Sequence, residues 1–313
     1  MATNPIGASL NKALTDYAVG IFQDYQSLMS DADFLAPRVV TGASVGNFAK
    51  FDEKQAFLAY DAQRAVGGSR TRIKFAGSTG TFDCKAKSLE IPLDNQEKSR
   101  AAGNEELIRQ AKVRTLLSTF ALSRFKRVYD TAVTSGNYTA ATGANAGKWS
   151  DPNVDPIADI DAQILGIYEA SGIMPNRMSL DLGSWQKLRN HPKVIARQPG
   201  AALVGLTLAQ LSALLLAPLE IRLAIGSVGT TGFGSSTTTK AAVQSAVALV
   251  FFAQSAATQF DPSAVKTFTP TAQSFDGVRE YRDESCNSDV FYIEVEEDIV
   301  SISAVLLRKI AVT

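Results

Sequence analysis

The sequence predicts an α+β protein, and three observations lead to this class. One amphipathic segment, from Asn104 to about Thr134, is long enough for about eight helical turns. Short runs between Phe51 and Asp94 alternate polar and apolar side chains with the period of two that is typical of strands. The chain after Leu219 consists mainly of further strand-like runs. Helices and strands therefore occupy largely separate stretches, as in an α+β fold.

The bulk composition is that of an ordinary folded protein. The 313 residues are enough for two or three compact lobes, and 45% of them are hydrophobic. Lys plus Arg (31) equals Asp plus Glu (31), which argues against a strong nucleic-acid binder. Cys84 and Cys286 lie far apart without metal-like spacing. The longest apolar run, 246–253, is far shorter than the roughly 20 residues of a membrane span, and no secretory signal is visible, so we expect assembly in a cytoplasm.

The N-terminal segment from Ser9 to about Met29 carries an apolar stripe of helical spacing. Its members recur every three or four residues, and they include Leu14, Tyr17, Ile21 and Phe22. A stripe of this kind must be buried against another surface. Two alternatives stay open: the segment docks on its own chain, or it lies on a neighbouring subunit.

Between Phe51 and Asp94 the sequence predicts a long two-stranded hairpin. The strands would be TRIKF (71–75) and FDCKAKSLEI (82–91), and GSTG (77–80) would form the turn. The hairpin and its flank carry five basic residues, Arg70, Arg72, Lys74, Lys85 and Lys87. Because an isolated hairpin is at best marginally stable in water, we expect this one to need a partner surface.

The long helix begins with good N-terminal signals. Asn104 would be the N-cap, and Glu105 and Glu106 lie in the first turn, where the helix dipole favours negative charge. At about 1.5 Å per residue the helix would be about 45 Å long. Its flanks carry six basic residues, Arg109, Lys112, Arg114, Arg124, Lys126 and Arg127. These form either a solvated face with paired charges or a phosphate-contacting surface, and the neutral total charge favours the first.

Four aspartates follow, at positions 151, 155, 159 and 161, and they raise the hypothesis of a calcium loop. Their spacing does not match such a loop, which needs oxygens at alternate positions, a central Gly and a closing Glu. Asp155 followed by Pro156 instead predicts an N-cap with Pro at the first helical position. The helix would end at Gly172, NRMSLDL would form a strand, and SWQKLRN would form a short helix stopped by Pro192.

No residue pattern indicates catalysis. His191 is the only histidine, it lies at a predicted helix end, and no activated nucleophile accompanies it. Glu296 and Glu297 are expected at the surface, near the end of a strand. We therefore expect no catalytic, cofactor-binding or metal-binding residues. His191 is better explained as a structural joint at the rim, after a short helix that Trp185 and Leu188 anchor.

The order of these elements resembles the major capsid proteins of tailed bacteriophages, whose fold is the Hong Kong 97-type shell fold. The stretches that carry the resemblance are KWSDPNVDPIADI, GIMPNRMSLDLGSWQKLRNHPKV, LTLAQLSALLLAPLEIRLAIG and GVREYRDESCNSDVFYIEVEEDIVSISAVLLRKI. The resemblance covers nearly the whole chain. It implies an N-terminal arm (1–37), an extended E-loop (51–94), a peripheral domain (38–50 and 95–183) with a spine helix (about 104–134), an axial domain (184–274) and closing strands (275–313).

The resemblance also implies a function in assembly. Copies of the chain would form pentamers and hexamers of an icosahedral shell around the double-stranded DNA of a tailed phage, as part of the virion. The five basic E-loop residues and the arm residues Leu14, Tyr17, Ile21 and Phe22 would contact neighbouring subunits. Other expected partners are a portal protein, a separate scaffolding protein, decoration proteins and the packaged DNA, contacted non-specifically; no membrane is expected. The alternatives are an encapsulin-type compartment shell, which shares the fold, and an enzyme with an unrecognised site near His191.

Overall fold

The structure is a computed structural model of the chain. It describes residues 9–10, 14–15, 18, 26–50, 63–64, 66–68, 70, 79–100, 103–143, 145–197, 205–231, 239–271 and 277–313. The helices in these residues are α1 (Gln26–Leu35), α2 (Asn95–Arg100), α3 (Glu105–Val133), α4 (Pro156–Ser171), α5 (Leu182–Arg189), α6 (Pro192–Arg197) and α7 (Leu208–Leu214), with a 3-10 turn at Ala304–Leu306. The strands are β1 (Ser9–Leu10), β2 (Arg38–Val40), β3 (Val45–Ala49), β4 (Thr79–Asp83), β5 (Lys85–Asp94), β6 (Thr139–Ala140), β7 (Arg177–Asp181), β8 (Glu220–Ala224), β9 (Ser227–Gly229), β10 (Lys240–Ala242), β11 (Val247–Phe251), β12 (Val265–Thr269), β13 (Arg279–Asp283), β14 (Ser288–Ser301) and β15 (Leu307–Ala311). Within these ranges, no helix combines the length and the apolar character that crossing a membrane requires.

A five-stranded sheet forms the centre of one lobe. Its strand order is β6–β15–β11–β7–β8, with β11 antiparallel to both of its neighbours and β8 parallel to β7. Every residue of β7 and β11 is buried, and helices α4, α5 and α7 pack against the sheet. The core of this lobe includes Ile160, Ile164, Trp185 and Leu188. Trp185 and Leu188 therefore anchor α5, as the sequence predicts.

A six-stranded sheet forms the second lobe. Its order is β1–β13–β14–β12–β2, and β5 pairs with β14 along ten residues, from Lys85 opposite Glu297 to Asp94 opposite Ser288. One face of this sheet packs on the long helix α3. The apolar residues of that core include Leu93, Val113, Leu117, Phe120, Phe291 and Ile293.

Three phenylalanine rings form a small third core beside the six-stranded sheet. Phe82 of β4 stacks on Phe268 of β12 with ring centroids 4.5 Å apart, and Phe48 of β3 stacks on the same ring at 5.4 Å. Strands β3 and β4 pair with each other in a separate two-stranded sheet. The aromatic stack thus holds this small sheet against the larger one.

The predicted long helix is confirmed as α3, with 29 residues. Asn104 occupies the N-cap position, but its side chain makes no capping hydrogen bond, and only its carbonyl oxygen accepts from Ile108 N, at 3.3 Å. The predicted N-cap of α4 is confirmed, because the Asp155 side chain accepts from two backbone N–H groups of the first turn. Gly172 ends this helix in the left-handed region, at φ 65°.

The predicted hairpin is wrong in its second strand and in part of its turn, because Thr79 and Gly80 of the predicted turn belong to β4. Residues 82–91 do not form one strand, since Cys84 separates β4 from β5, and these two strands pair with β3 and β14, respectively. The partner surface that the hairpin was expected to need is therefore, for β5, the closing strand of the same chain. The other predicted strand, 71–75, lies outside the described residues.

The expected role of Pro192 needs correction. Pro192 does not stop a helix: α5 ends at Arg189, and Pro192 is the first residue of α6, where its missing N–H costs nothing. The closing strands belong to two different sheets. The 3-10 turn at Ala304–Leu306 separates β14 of the six-stranded sheet from β15 of the five-stranded sheet.

Candidate assembly surfaces

Three of the five basic residues expected to contact neighbouring subunits are described. Arg70 is exposed. Lys85 and Lys87 lie in β5, and the Lys85 ammonium is 3.9 Å from the Asp83 carboxylate. The two lysines thus lie in the sheet, and their contact with a neighbouring subunit stays a prediction. The remaining two residues, Arg72 and Lys74, lie outside the described part of the chain.

Lys85 and Lys87 line a charged cleft of about 390 Å³ beside the long helix. Arg127 and Asp130 of α3 and Asp298 of β14 form parts of its other walls. Because cations and carboxylates are present in similar numbers, the cleft has no dominant charge. It would suit a polar segment better than a simple ion.

Arg124 is the centre of a buried ion-pair cluster. Its side chain is fully buried, with Nε 3.0 Å from Glu297 Oε2 and Nη2 2.7 Å from Asp33 Oδ1. Arg38 Nε donates to the same Asp33 oxygen at 3.0 Å, and Arg127 pairs with the second Glu297 oxygen. Burial alone would raise the pKa of Glu297, but the charges of Arg124 and Arg127 outweigh it and hold that pKa below its usual value.

This cluster joins α1, the long helix and β14, which are remote from one another in sequence. It also corrects two expectations: Arg124 does not lie on a solvated flank, and Glu297 does not lie at the surface. The paired-charge alternative for the long helix is supported, because its basic residues take part in ion pairs, among them Arg109, Lys112, Arg124, Lys126 and Arg127.

A second ion-pair cluster holds the N-terminal end of the long helix to the six-stranded sheet. Asp289 of β14 accepts from Lys98, from Arg282 at 2.9 Å and from Arg109 at 3.4 Å. Arg109 also lies 3.3 Å from Glu280 of β13. Every acidic residue of this cluster is thus neutralised within the chain.

The N-terminal residue Leu14 is 2% exposed and belongs to the core between the long helix and the six-stranded sheet. Ala18, one turn later, is fully buried in the same core. The own-chain alternative therefore holds at these two positions. The prediction that Leu14 contacts a neighbouring subunit is wrong, because its side chain has no surface left for one. The other three arm residues, Tyr17, Ile21 and Phe22, lie outside the described residues.

His191 is buried rather than at the rim, with 3% of its surface exposed. Its Nδ1 accepts the backbone N–H of Lys193 at 3.3 Å, so Nε2 carries the proton and donates to the carbonyl oxygen of Asp151 at 3.0 Å. Backbone groups thus occupy both ring nitrogens. His191 is a joint between the loop before α4 and the start of α6, and it offers no free nitrogen for catalysis.

The four aspartates between positions 151 and 161 bind backbone N–H groups. Asp155 caps α4, and Asp151 accepts from the N–H two residues later at 2.9 Å. Asp159 accepts from the Trp149 indole at 2.9 Å and from a backbone N–H at 2.8 Å, and Asp161 accepts from a backbone N–H at 2.8 Å. In the part of the chain that the structure describes, no group of three acidic, His or Cys side chains could hold a metal ion.

An apolar cleft of about 500 Å³ lies between the long helix and the end of β8. Its walls include Leu28, Leu122, Leu182 and Ile225. Of the residues in its walls, Leu182 and Ile225 are 63% and 65% exposed.

No protein-family model and no curated protein sequence matches the chain. Solved structures do match it along most of its length. A phage-related protein from Bordetella bronchiseptica RB50 is similar over 97% of each chain, with a TM-score of 0.70 at 18% sequence identity. The capsid of cyanophage P-SCSP1u is similar over 90% of this chain and 87% of that chain, with a TM-score of 0.53 at 10% identity. A virus-like particle from Pyrococcus furiosus is similar over 96% and 98%, with a TM-score of 0.56 at 9% identity.

The chain has the Hong Kong 97-type fold of phage capsid proteins. The predicted fold is thereby confirmed. At identities of 9–18%, structures of the Hong Kong 97-type fold share the order and packing of elements while most of their residues differ. This explains why the order of elements, rather than any single motif, carries the resemblance.

Sequence analysis missed one surface of the six-stranded sheet. The carboxylates of Glu294 and Glu296 lie on the face of β14 opposite to Phe291, Ile293 and Val295, which enter the core under the long helix. The signal for this surface was present, because acidic and apolar residues alternate with a period of two in FYIEVEED.

Proposed function

We propose that the chain is the major capsid protein of a tailed phage, which assembles into the icosahedral shell around the double-stranded DNA genome. One observation carries this proposal: the structural similarity extends over 97% of both chains for a phage-related protein and over 90% of this chain for the capsid of a cyanophage. A match of that extent involves both sheets and the long helix. We assign no catalytic role to any residue.

In the shell, the long helix would be the spine helix of the peripheral domain, and the six-stranded sheet would belong to the same domain. The five-stranded sheet with α4, α5 and α7 would be the axial domain. The sequence-based boundary at 183/184 falls inside α5, and strand β12, within the predicted axial range 184–274, pairs with β14. We therefore place α4 and β7 with the axial domain and β12 with the peripheral domain.

Assembly would proceed through heterologous contacts, in which each copy offers different surfaces to its two neighbours and rings of five and six close. The partners we propose are other copies of the chain, a portal protein, a separate scaffolding protein, decoration proteins and the packaged DNA. The equal numbers of basic and acidic residues suit a wall that confines DNA without binding it tightly. The protein would then be located in the virion, after assembly in the host cytoplasm.

A compartment shell of the encapsulin type is the second candidate. The similarity to the virus-like particle from Pyrococcus furiosus, over 96% of this chain, favours it. The two kinds of shell share the fold and differ in what they enclose. Particles isolated from the natural source would protect double-stranded DNA from nuclease in the first case and would contain a protein cargo in the second.

Size-exclusion chromatography and negative-stain microscopy of the expressed protein test assembly directly. We expect rings, closed shells or tubes, formed by the protein alone or with a scaffolding protein. Glu169→Lys, a substitution at an exposed position on α4, serves as the control that should leave assembly unchanged. Monomers that persist under all conditions, although folded by circular dichroism, would rule out both shell functions.

A further inference from the structure

The loop between β11 and β12, residues 254–263, presents one large apolar side chain to solvent. Phe260 is 76% exposed, and within the described residues it is the only exposed phenylalanine. Aromatic rings are frequent anchors of protein–protein contacts, because covering one removes a large apolar area from water. Phe260 can serve as such an anchor if its loop holds the ring in a fixed position.

Side chains of the loop hold its backbone in one shape. The Asp261 carboxylate accepts from the backbone N–H of Thr258, from the Thr258 hydroxyl at 2.6 Å and from the Ser263 hydroxyl at 3.2 Å. The backbone N–H of Phe260 donates to the Thr258 hydroxyl oxygen at 3.3 Å. The residues on both sides of Phe260 are thus tied together.

A buried lysine fixes the same residues to the six-stranded sheet. The Lys266 side chain, on β12, is fully buried, and its ammonium donates to the carbonyl oxygens of Thr258 and Asp261, both at 2.6 Å. The ammonium also lies 3.4 Å from the Asp261 carboxylate. Lysine is almost never fully buried, because its charge must leave water and needs other partners in its place. Here those partners flank Phe260, so the ring is ordered before any contact forms, which lowers the entropy cost of binding.

The apolar cleft beside the long helix offers a matching surface. Its volume of about 500 Å³ lies within the roughly 300–1,000 Å³ of clefts that hold small ligands, so an aromatic ring fits there. Gly183 and Gly226 leave its walls without side chains at two points. Asp181 is the only charged residue among the described wall residues, and its carboxylate accepts from the backbone N–H groups of Ser184 at 3.1 Å and Val247 at 3.0 Å. The cleft therefore suits an apolar group rather than an ion.

We propose that Phe260 of one copy of the chain binds in the apolar cleft of a second copy. The proposal rests on the proposed shell function and names one contact between its subunits. Phe260 is exposed in the single chain and does not line the cleft, so it does not fill the cleft of its own copy. Because the loop and the cleft are different surfaces of one chain, each copy can contact two neighbours through them, as closed rings require.

Variants of the full chain remove either side of this contact. Phe260→Ala removes the ring, and Thr119→Trp fills the cleft from an exposed position on α3 in its wall. One phenylalanine buries about 150–250 Å², far less than the roughly 1,200–2,000 Å² of a stable interface, so other contacts also hold the shell. We expect each variant to need on the order of tenfold more protein for assembly than the unchanged chain, as measured by light scattering over a concentration series.

Matched substitutions separate this contact from general effects. Thr115→Trp adds the same side chain one turn earlier on α3, at an exposed position outside the cleft. Leu107→Ala removes another exposed apolar side chain of the same helix. Both controls should assemble like the unchanged chain, and circular dichroism establishes that every variant folds.

Crosslinking identifies the two surfaces directly and leaves both of them intact. With Cys286→Ser removing the exposed native thiol, Gln259→Cys places a thiol beside Phe260 and Ser227→Cys places one in the wall of the cleft. A short bismaleimide added to the assembled protein should join copies into pentamers and hexamers on a denaturing gel, because each copy reaches two neighbours. Chains with only one of the two new cysteines should stay monomeric on the gel.

The results distinguish failure of this contact from failure of the shell function. Links between copies, together with weaker assembly of Phe260→Ala and Thr119→Trp, support the contact. If the unchanged chain forms shells but no links join the copies, or if the two variants assemble as readily as the unchanged chain or their controls, the proposed contact is wrong and the shell function stands. If the unchanged chain never assembles, the shell function is wrong, and this contact with it.

Discussion

The two sheets of the chain use their faces differently. In the five-stranded sheet, the central strands β7 and β11 are buried at every residue, and helices of the same lobe pack against them. In the six-stranded sheet, one face packs on the long helix, whereas the other face exposes Glu90, Pro92 and Asp94. Sheets with both faces covered complete their core within one chain. The six-stranded sheet instead exposes part of its second face.

The covered face of the six-stranded sheet depends on charges as well as on apolar packing. Arg124 is fully buried there, and its two carboxylate partners come from α1 and β14. The five-stranded lobe instead uses carboxylates as acceptors for backbone and indole N–H groups, as at Asp159. The lobes therefore differ in what a single substitution would leave unpaired: a buried charge in one and a buried N–H group in the other.

We expect the largest effect from Arg124→Ala. The substitution takes from Glu297, which is 3% exposed, its fully buried partner and leaves it paired with Arg127, so we expect a loss near the lower end of the about 3–5 kcal/mol that removal of one member of a buried ion pair costs. Urea unfolding of the subunit, followed by tryptophan fluorescence, measures the loss. A loss of this size would show that the ion pairs on the covered face of the six-stranded sheet contribute to the stability of the fold.

A second substitution identifies the cause of that loss. Combining Arg124→Ala with Glu297→Gln removes the buried carboxylate charge that has lost its Arg124 partner, so the double variant should recover part of the stability that the single variant loses. A loss below about 1 kcal/mol in Arg124→Ala alone would contradict the assignment of this pair as a main contact between the helix and the sheet.

In the five-stranded lobe, we expect Asp159→Ala to cost about 2–3 kcal/mol, because the indole N–H of the buried Trp149 loses a charged acceptor. Asp159→Asn keeps an oxygen acceptor at the same place and should cost about half as much. The same unfolding experiment measures both. Equal losses in the two variants would mean that the charge of Asp159, rather than its bond to Trp149, stabilises the lobe.

Asp31 lies in α1, the helix that contacts elements of both lobes: α3, β8 and β12. Burial raises the pKa of Asp31 from 3.8 to about 6, against the charge of Arg222 and a hydrogen bond from Ile225 N. The native state thus binds the proton more tightly than the unfolded state. Protonation of the Asp31 carboxyl therefore stabilises the native state fully below about pH 4. This stabilisation decreases as the pH rises to about 6 and is absent above that value.

Asp31→Asn should remove this pH dependence. At pH 7 the variant should be more stable than the unchanged protein, by about 1 kcal/mol once the partial exposure of the side chain is allowed for. At pH 4 the two should be nearly equal. Unfolding curves at several pH values between 4 and 7 measure the difference, and a difference that does not change with pH would show that Asp31 does not titrate in this window.

Local signals in the sequence predicted much of the fold. The apolar stripe and the acidic first turn gave α3 its bounds to within a residue, and the Asp155–Pro156 pair and Gly172 marked the ends of α4. The order of elements along the chain was enough to indicate the shell fold. These features depend on neighbours a few residues apart, which a sequence displays directly.

The partners of strands and charges were not predictable in the same way. Alternation in FDCKAKSLEI shows which side chains share a face, but it does not show that β5 pairs with β14, about 200 residues later. The burial of Arg124 depends on Asp33 and Glu297, which lie 91 and 173 residues away.

Lys126 gives the smallest expected effect and the sharpest contrast with Arg124. The two cations lie two residues apart on the long helix, but Lys126 points outward, and its pair with Asp130 is about half exposed on both sides. Exposed pairs of this spacing contribute about 0.3–0.5 kcal/mol, so Lys126→Ala should shift the unfolding midpoint only slightly. A loss above about 1 kcal/mol would mean that the outward flank of the helix is also covered within one chain. A loss within the expected range would show that burial, and not the presence of a basic residue, decides which charges of this helix hold the lobe together.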